Sequence, residues 1–269
     1  MAQPLNVAML GASGRMGRSI VPLVLASTDF RLTGALAAPG DMAVGQDAGV
    51  FSGVASMAVA VEDDAAVALA GAQVAIDFTL PAVSMANARL CRSLGCAMVI
   101  GTTGHDPAQR AELDDIAKVI AVVLAPNMSL GVNLLFKLAE LASRSLDADY
   151  DIEIFEAHHR NKVDAPSGTA LGLGQAAARG RGTALEAVGE FVRHGHTGPR
   201  ERGKIGFSVV RGGDIVGDHR LIFAGPGEQV ELSHHAQDRS GFARGALAAA
   251  RWVVGRPPGL YSMMDVLGL

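Results

Sequence analysis

The densest chemistry in the chain lies in fourteen consecutive residues, Glu156-Ala157-His158-His159-Arg160-Asn161-Lys162-Val163-Asp164-Ala165-Pro166-Ser167-Gly168-Thr169. His158, His159, Arg160 and Lys162 place four groups able to carry positive charge within five positions. Such crowding calls either for an anionic ligand as the missing counter-charge or for side chains that splay apart into water, and local composition leaves both readings open. Ser167-Gly168-Thr169 then offers a capping side chain, a bare backbone unit and a hydroxyl, the parts of an anion site at a helix start. No metal site is expected here. Zinc needs three or four converging donors, and Arg160 and Lys162 put positive charge where the ion would sit. The remaining histidines, His194, His196, His219, His234 and His235, read as loop or strand-face residues.

A second anion-binding pattern stands near the start. Gly11-Ala12-Ser13-Gly14-Arg15-Met16-Gly17 follows an apolar run at 5–10 and precedes a helical stretch at 18–26. Glycines placed so permit a sharp turn and bring backbone N–H groups close to a pyrophosphate resting on the positive end of a helix. The spacing is Gly-x-x-Gly-x-x-Gly, and a glycine-rich turn after a strand is sometimes only a turn. A carboxylate about 20 residues further on usually holds the ribose of NAD. Here that neighbourhood reads Leu36-Ala37-Ala38-Pro39, with neither an acid nor an arginine. Arg15 and Arg18 are the nearest cations for a phosphate, although arginine in a first helical turn is commonly just solvated.

These two loops must be carried by a scaffold, and composition limits which. The chain has 269 residues, 49% hydrophobic and 19% charged, which excludes disorder and favours two domains at roughly 100 to 200 residues each. Its formal charge of −4 is small and of the wrong sign for gripping nucleic acid. No apolar stretch approaches the roughly 18 to 20 residues that cross a bilayer, and the first residues lack a leader pattern, so a cytoplasmic protein with no membrane partner is expected. Cys91 and Cys96 fall in a helix-like segment and are expected to be reduced and structural.

Up to about residue 130, apolar runs alternate with helical stretches: strands at 31–37, 74–78, 97–100 and 120–124, helices at 63–70, 82–94 and 106–118. Continuous apolar strands separated by helices predict an α/β, Rossmann-type, doubly wound parallel sheet. Beyond 130 come a helix at 130–146, a strand at 151–157 and an alanine-rich helix at 167–179. A loop at 182–203 precedes alternating strands at 205–211, 215–223 and 229–235. Glycine turns between the last three predict antiparallel neighbours in a second, α+β domain with a mixed or antiparallel sheet. The helix at 242–254 fits either sheet by its period.

Taken together, these motifs resemble the 4-hydroxy-tetrahydrodipicolinate reductase family, also called dihydrodipicolinate reductase. The resemblance runs end to end. It rests on Gly11 to Arg18, Asp77-Phe78-Thr79, Gly101-Thr102-Thr103-Gly104, Ala125-Pro126-Asn127-Met128-Ser129 with Gly131-Val132-Asn133, the stretch 156–169, and Ile205-Gly206-Phe207 with Arg211-Gly212-Gly213-Asp214-Ile215-Val216-Gly217. The resemblance implies a dinucleotide-binding domain, 1–129 completed by 239–269, and a domain at 130–238 for substrate binding and homotetramer assembly. It implies reduction, with NADH or NADPH, of the hydroxylated ring made from pyruvate and aspartate semialdehyde, with loss of water, in lysine and diaminopimelate biosynthesis. By position it makes His158 the proton donor, assisted by Lys162, and gives the dicarboxylate substrate to His159, Gly168 and Thr169. The coenzyme is expected to lie along Gly11, Ala12, Ser13, Gly14, Arg15, Met16, Gly101, Thr102, Thr103, Ala125, Pro126, Asn127 and Met128. Family members commonly carry an acid, often followed by arginine, where Ala37-Ala38 stand, so dual or altered coenzyme preference is expected. A non-catalytic nucleotide sensor and a related amino-acid dehydrogenase are the competing readings.

Overall fold

A computed structural model of the protein describes residues 3–269. The chain divides into two compact units, one formed by residues up to Leu130 together with Arg239–Leu269, the other by Gly131–Asp238.

The first unit is a parallel sheet covered on both faces. Its strands are β1 (Leu5–Leu10), β2 (Phe30–Leu36), β3 (Val61–Glu62), β4 (Val74–Asp77), β5 (Ala97–Ile100) and β6 (Ala121–Leu124), with β12 (Gly259–Tyr261) arriving from the end of the chain. The order is β12-β6-β5-β4-β1-β2-β3, and every pairing is parallel. Alternate side chains feed two separate cores, as the two-residue strand period dictates. Val7, Met9, Ile76, Val99 and Val123 pack with α1 (Gly17–Leu25) and α9 (Ser240–Val253). Ala8, Leu10, Ala75, Met98, Ile100 and Val122 pack with α4 (Pro81–Leu94) and α5 (Pro107–Ala117). The helix α9 therefore covers this sheet. Three short helices, α2 (Ala48–Phe51), α3 (Ala65–Ala68) and α10 (Met263–Leu267), complete the unit. Because the chain runs outward from β1 in both directions, the strand order reverses between β1 and β4, and the carboxyl ends of such a pair are where sheets of this kind bind ligands.

In the second unit, β7 (Asp151–His158) is central in the order β11-β10-β7-β9-β8, where β8 is Gly189–Glu190, β9 Ile205–Arg211, β10 Gly217–Gly225 and β11 Glu228–Ala236. One face is covered by α6 (Leu130–Ser145) and α7 (Gly168–Gly180), through Leu135, Ala139, Leu173 and Ala177 against Ile152, Ile154, Leu221 and Phe223. The sheet is mixed, and the pairing corrects one expectation. β10 is antiparallel to both β7 and β11, but β9 is parallel to β7 and is not hydrogen-bonded to β10. Alternation and a glycine turn identify strands without identifying partners. The expected loop at 182–203 also holds a one-turn helix, α8 (Leu185–Val188), and the two residues of β8, too short to leave a period. Cys91 lies in α4, whereas Cys96 lies beyond it, past Gly95 in the left-handed conformation that ends the helix; both thiols are free and buried. Among the described residues, no helix is long and apolar enough to cross a membrane.

Candidate active site

Strand register assembles a polar cluster in the second unit. His219 on β10 stands opposite Glu156 on β7, and Arg211, the last residue of β9, pairs with His158, the last residue of β7. Glu156 is fully buried, and all its acceptor capacity is used. One oxygen accepts from the Ser167 amide at 2.9 Å and Arg211 Nη2 at 2.8 Å; the other meets His158 Nδ1 at 2.6 Å and Arg211 Nη1 at 2.7 Å. Burial alone would raise the Glu156 carboxyl, but the Arg211 guanidinium, the His158 ring and the Ser167 amide outweigh it and hold it below its ordinary range. An ionised acceptor on Nδ1 fixes the ring and makes Nδ1 the donor, so Nε2 is the nitrogen free to exchange a proton.

That nitrogen lies where a side chain on Gly217 would intrude, since a Cβ there would come within 3.0 Å of His158 Nε2. The Ser167 hydroxyl accepts from the Ala170 amide at 3.1 Å, capping α7, and lies 3.0 Å from His219 Nε2. His219 is 4% exposed and packs edge-on against the His158 ring. Burial, reinforced by the neighbouring His158, lowers it to about 4, so it is neutral near pH 7. His159 is half-buried at the strand end, and the Lys162 ammonium is tied to both oxygens of Asp164, at 2.8 and 2.9 Å. The cationic loop is braced by its neighbour: Gly212 donates to the His158 carbonyl and Arg160 to that of Gly213. Gly168, the first residue of α7, is exposed, and a Cβ added there would meet nothing within 4 Å. Packing does not demand a glycine at 168.

In the first unit, Gly11 adopts φ +85°, and a Cβ on it would lie 2.4 Å from the Phe78 carbonyl. A Cβ on Gly17 would lie as close to the carbonyls of Gly11 and Ala12. These two glycines are imposed by backbone packing. Gly14 and Arg15 are exposed, and the amides of Ser13, Arg15 and Met16 donate to no backbone carbonyl among the described residues. Bare N–H groups ahead of α1 fit the pyrophosphate of a dinucleotide. The amides of Gly11 and Ala12 both donate to the Leu36 carbonyl, fixing the loop to the end of β2.

Asp77, buried at the end of β4, holds the two neighbouring turns. It accepts from the Thr79 hydroxyl at 2.9 Å, the Thr102 hydroxyl at 2.5 Å and Asn87 Nδ2 at 2.8 Å. The Thr102 side chain thus points inward, and Ala12, Ala125 and Met128 are buried as well, so these four can offer a ligand only backbone. Gly101 sits over the Phe78 ring, and Thr103 and Pro126 are exposed, while Asn127 Oδ1 accepts from the Ser129 amide at 2.9 Å. A cleft of about 450 Å³ at the carboxyl ends of β5, β6 and β12 is lined by Thr102, Thr103, Arg110, Pro126, Tyr261 and Asp265. A larger groove of about 710 Å³ lies between helices α1, α9 and α10 near the start of β2, away from these strand ends.

Family models described as dihydrodipicolinate reductase, N-terminus and C-terminus, match residues 5–128 and 131–267. This chain belongs to the dihydrodipicolinate reductase family. It is 57% identical over 264 residues, 98% of each chain, to the 4-hydroxy-tetrahydrodipicolinate reductase of Thiobacillus denitrificans, and 51% identical over 266 residues, 99% of each, to that of Nitrosomonas europaea. Among solved structures it resembles the dipicolinate-bound dihydrodipicolinate reductase of Paenisporosarcina sp. TG-14, with a TM-score of 0.78 at 26% identity, covering 97% of this chain and 98% of that one. A dehydrogenase-type nucleotide fold and a pyridine-nucleotide coenzyme go with that membership. Sequence reasoning quoted Glu156, Arg211 and Asp77 as motif residues without giving them a role, and missed His219. His219, read as an ordinary strand residue, is buried against His158. Its signal was a polar Asp218-His219-Arg220 inside an otherwise apolar inner strand, which becomes informative only once the register with Glu156 is known.

Proposed function

We propose that this chain reduces 4-hydroxy-tetrahydrodipicolinate to tetrahydrodipicolinate with loss of water, using NADH or NADPH, in lysine and diaminopimelate biosynthesis. The observation that carries it is the Glu156–His158 pair, braced by Arg211 and seated beside a cationic loop and the start of α7. Loss of the ring hydroxyl as water leaves a conjugated imine with two carboxylates. Reduced nicotinamide, when bound, would supply the hydride that ring carbon 4 accepts. Electron density moves through the conjugated system to a neighbouring carbon, and His158 Nε2 donates the proton that completes the addition. The Glu156 carboxylate then faces the imidazole and orients it, while the Arg211 guanidinium offsets the cost of burying that carboxylate. His159, Gly168 and Thr169 bind the substrate carboxylates, helped by the α7 N-terminus, and Lys162, tethered to Asp164, adds fixed positive charge. Gly11 to Met16, Gly101 to Thr103 and Ala125 to Met128 hold the coenzyme.

Assembly as a homotetramer through the sheet of the second unit accompanies this reading. In its support, β9 exposes Val209 and Val210, and the edge strand β11 exposes Val230. The test is absorbance loss of reduced nicotinamide with pyruvate, aspartate semialdehyde and the upstream synthase. Steady loss, absent without the synthase, is expected from protein whose mass by light scattering is four times that of one chain. Coenzyme binding without turnover would make the protein a sensor, and a monomer mass would refute the assembly.

A further inference from the structure

The sequence lacks an acid at the end of β2, yet the structure delivers one to the place where it would act. Beyond β2 the chain makes a turn in which the Asp41 amide donates to the Ala38 carbonyl at 3.0 Å, with Pro39 and Gly40 at its centre and Gly40 at φ +79°. Proline followed by a glycine of positive φ is the requirement of a type II turn. The reversal brings the Asp41 carboxylate back to the glycine loop. One oxygen accepts from the Ser13 hydroxyl at 2.7 Å and the other from the Ala43 amide at 2.8 Å. A carboxylate offers about four acceptor positions, so two remain. No cation pairs with it among the described residues. The Arg18 guanidinium lies over the Phe51 ring, 5.7 Å from its centre. The Ala43 amide and the Ser13 hydroxyl hold the carboxyl below its ordinary range, so it is ionised at neutral pH.

We propose that Asp41 is the residue that binds the adenosine ribose of the coenzyme and makes this chain prefer NADH over NADPH. This rests on the reductase reading above. The loop that bears Ser13 is the one whose free amides suit the pyrophosphate, and the ribose is one linkage away from that group. An ionised acceptor at the rim takes hydrogen bonds from the ribose hydroxyls and repels a 2′-phosphate, so one side chain supplies both attraction and discrimination. Neither Ala37 nor Ala38 can do this; Ala37 is buried, its amide spent on the Glu62 carbonyl.

Dissociation constants for NADH and NADPH are measured by calorimetry at fixed ionic strength, without substrate. The wild-type protein is expected to bind NADH at least about tenfold more tightly than NADPH, the worth of one or two charge-assisted hydrogen bonds. Asp41→Ala is expected to bring the two constants within about threefold of one another, mainly by weakening NADH. Asp41→Asn, which keeps size and one acceptor, guards against a folding defect and is expected to fall between. A role confined to holding the loop would weaken both coenzymes equally. Equal or tighter NADPH binding by wild type, with Arg15 as its phosphate partner, overturns the inference, as does a ratio that neither substitution moves. In those cases the reductase reading survives; wild-type protein that binds neither coenzyme overturns both.

Discussion

At the residue scale, the site turns on how a buried carboxylate is kept charged. Glu156 has four donors from three residues: His158 is the one to which the proposed mechanism gives chemistry, while Arg211 and the Ser167 amide make the charge tolerable. On the proposed mechanism His158 is the proton donor, and replacing it with Gln is expected to lower kcat by roughly 10²- to 10⁴-fold with coenzyme affinity unchanged. Glu156→Gln keeps the shape but withdraws the charge. It should lower kcat by about tenfold or more while leaving KM and NADH affinity nearly fixed, and cost about 3 kcal/mol in urea unfolding because Arg211 loses its partner. An unchanged kcat in a folded Glu156→Gln protein would remove the positioning role. The cationic stretch was legible in sequence because several like charges in a row are conspicuous. The carboxylate beneath them was not, because a single Glu in a strand looks the same whether it faces water or a guanidinium.

Elements set these distances by close backbone approach. Gly245 on α9 lies against the Met128 carbonyl, and a Cβ there would come within 1.7 Å of it. A helix cannot yield so much locally, so Gly245→Ala is expected to displace α9 or the 125–129 turn and to destabilise the protein by roughly 1 to 3 kcal/mol. Coenzyme binding should weaken with it. Thermal unfolding and an NADH titration of the same variant check both, and wild-type values would show the turn to be freely adjustable. Element type could be read well from this sequence, since buried parallel strands are uninterrupted apolar runs. Partnership could not. β9 and β10 are joined by a glycine turn yet lie on opposite sides of β7, a choice made by side chains from three strands at once. The acid expected at the end of β2 was hidden for a related reason. Asp41 is close to Ser13 only because Pro39-Gly40 turns the chain back.

For the molecule as a whole, the buried titratable groups dictate how stability varies with acidity. His219 is lowered to about 4 from 6.5 by burial and by His158, so the folded state resists a proton that the unfolded chain accepts. Its effect is nil above about pH 6.5 and grows as pH falls toward 4, reaching about 3 kcal/mol of lost stability there. Glu156 acts in a lower window: its carboxyl is depressed, so the stability it confers is present above its ordinary value of 4.5 and fades as pH drops through the folded one. Urea unfolding from pH 7 to 4.5 should show a decline that His219→Asn makes shallower, the remainder belonging to His105 and His234, which burial also lowers; an equal decline in that variant would assign the loss to other groups.

The strand β12 and the helix α9 reach the first sheet only after the entire second unit has been threaded between them and β6. On a translating ribosome, one flank of the nucleotide half is therefore without its α9 cover until residues 240–253 are made, and β6 is a bare edge until Gly259–Tyr261 follow. The inserted half has every strand it needs as soon as Asp238 emerges. Completion thus runs against the order of the message, with the half encoded first finished last.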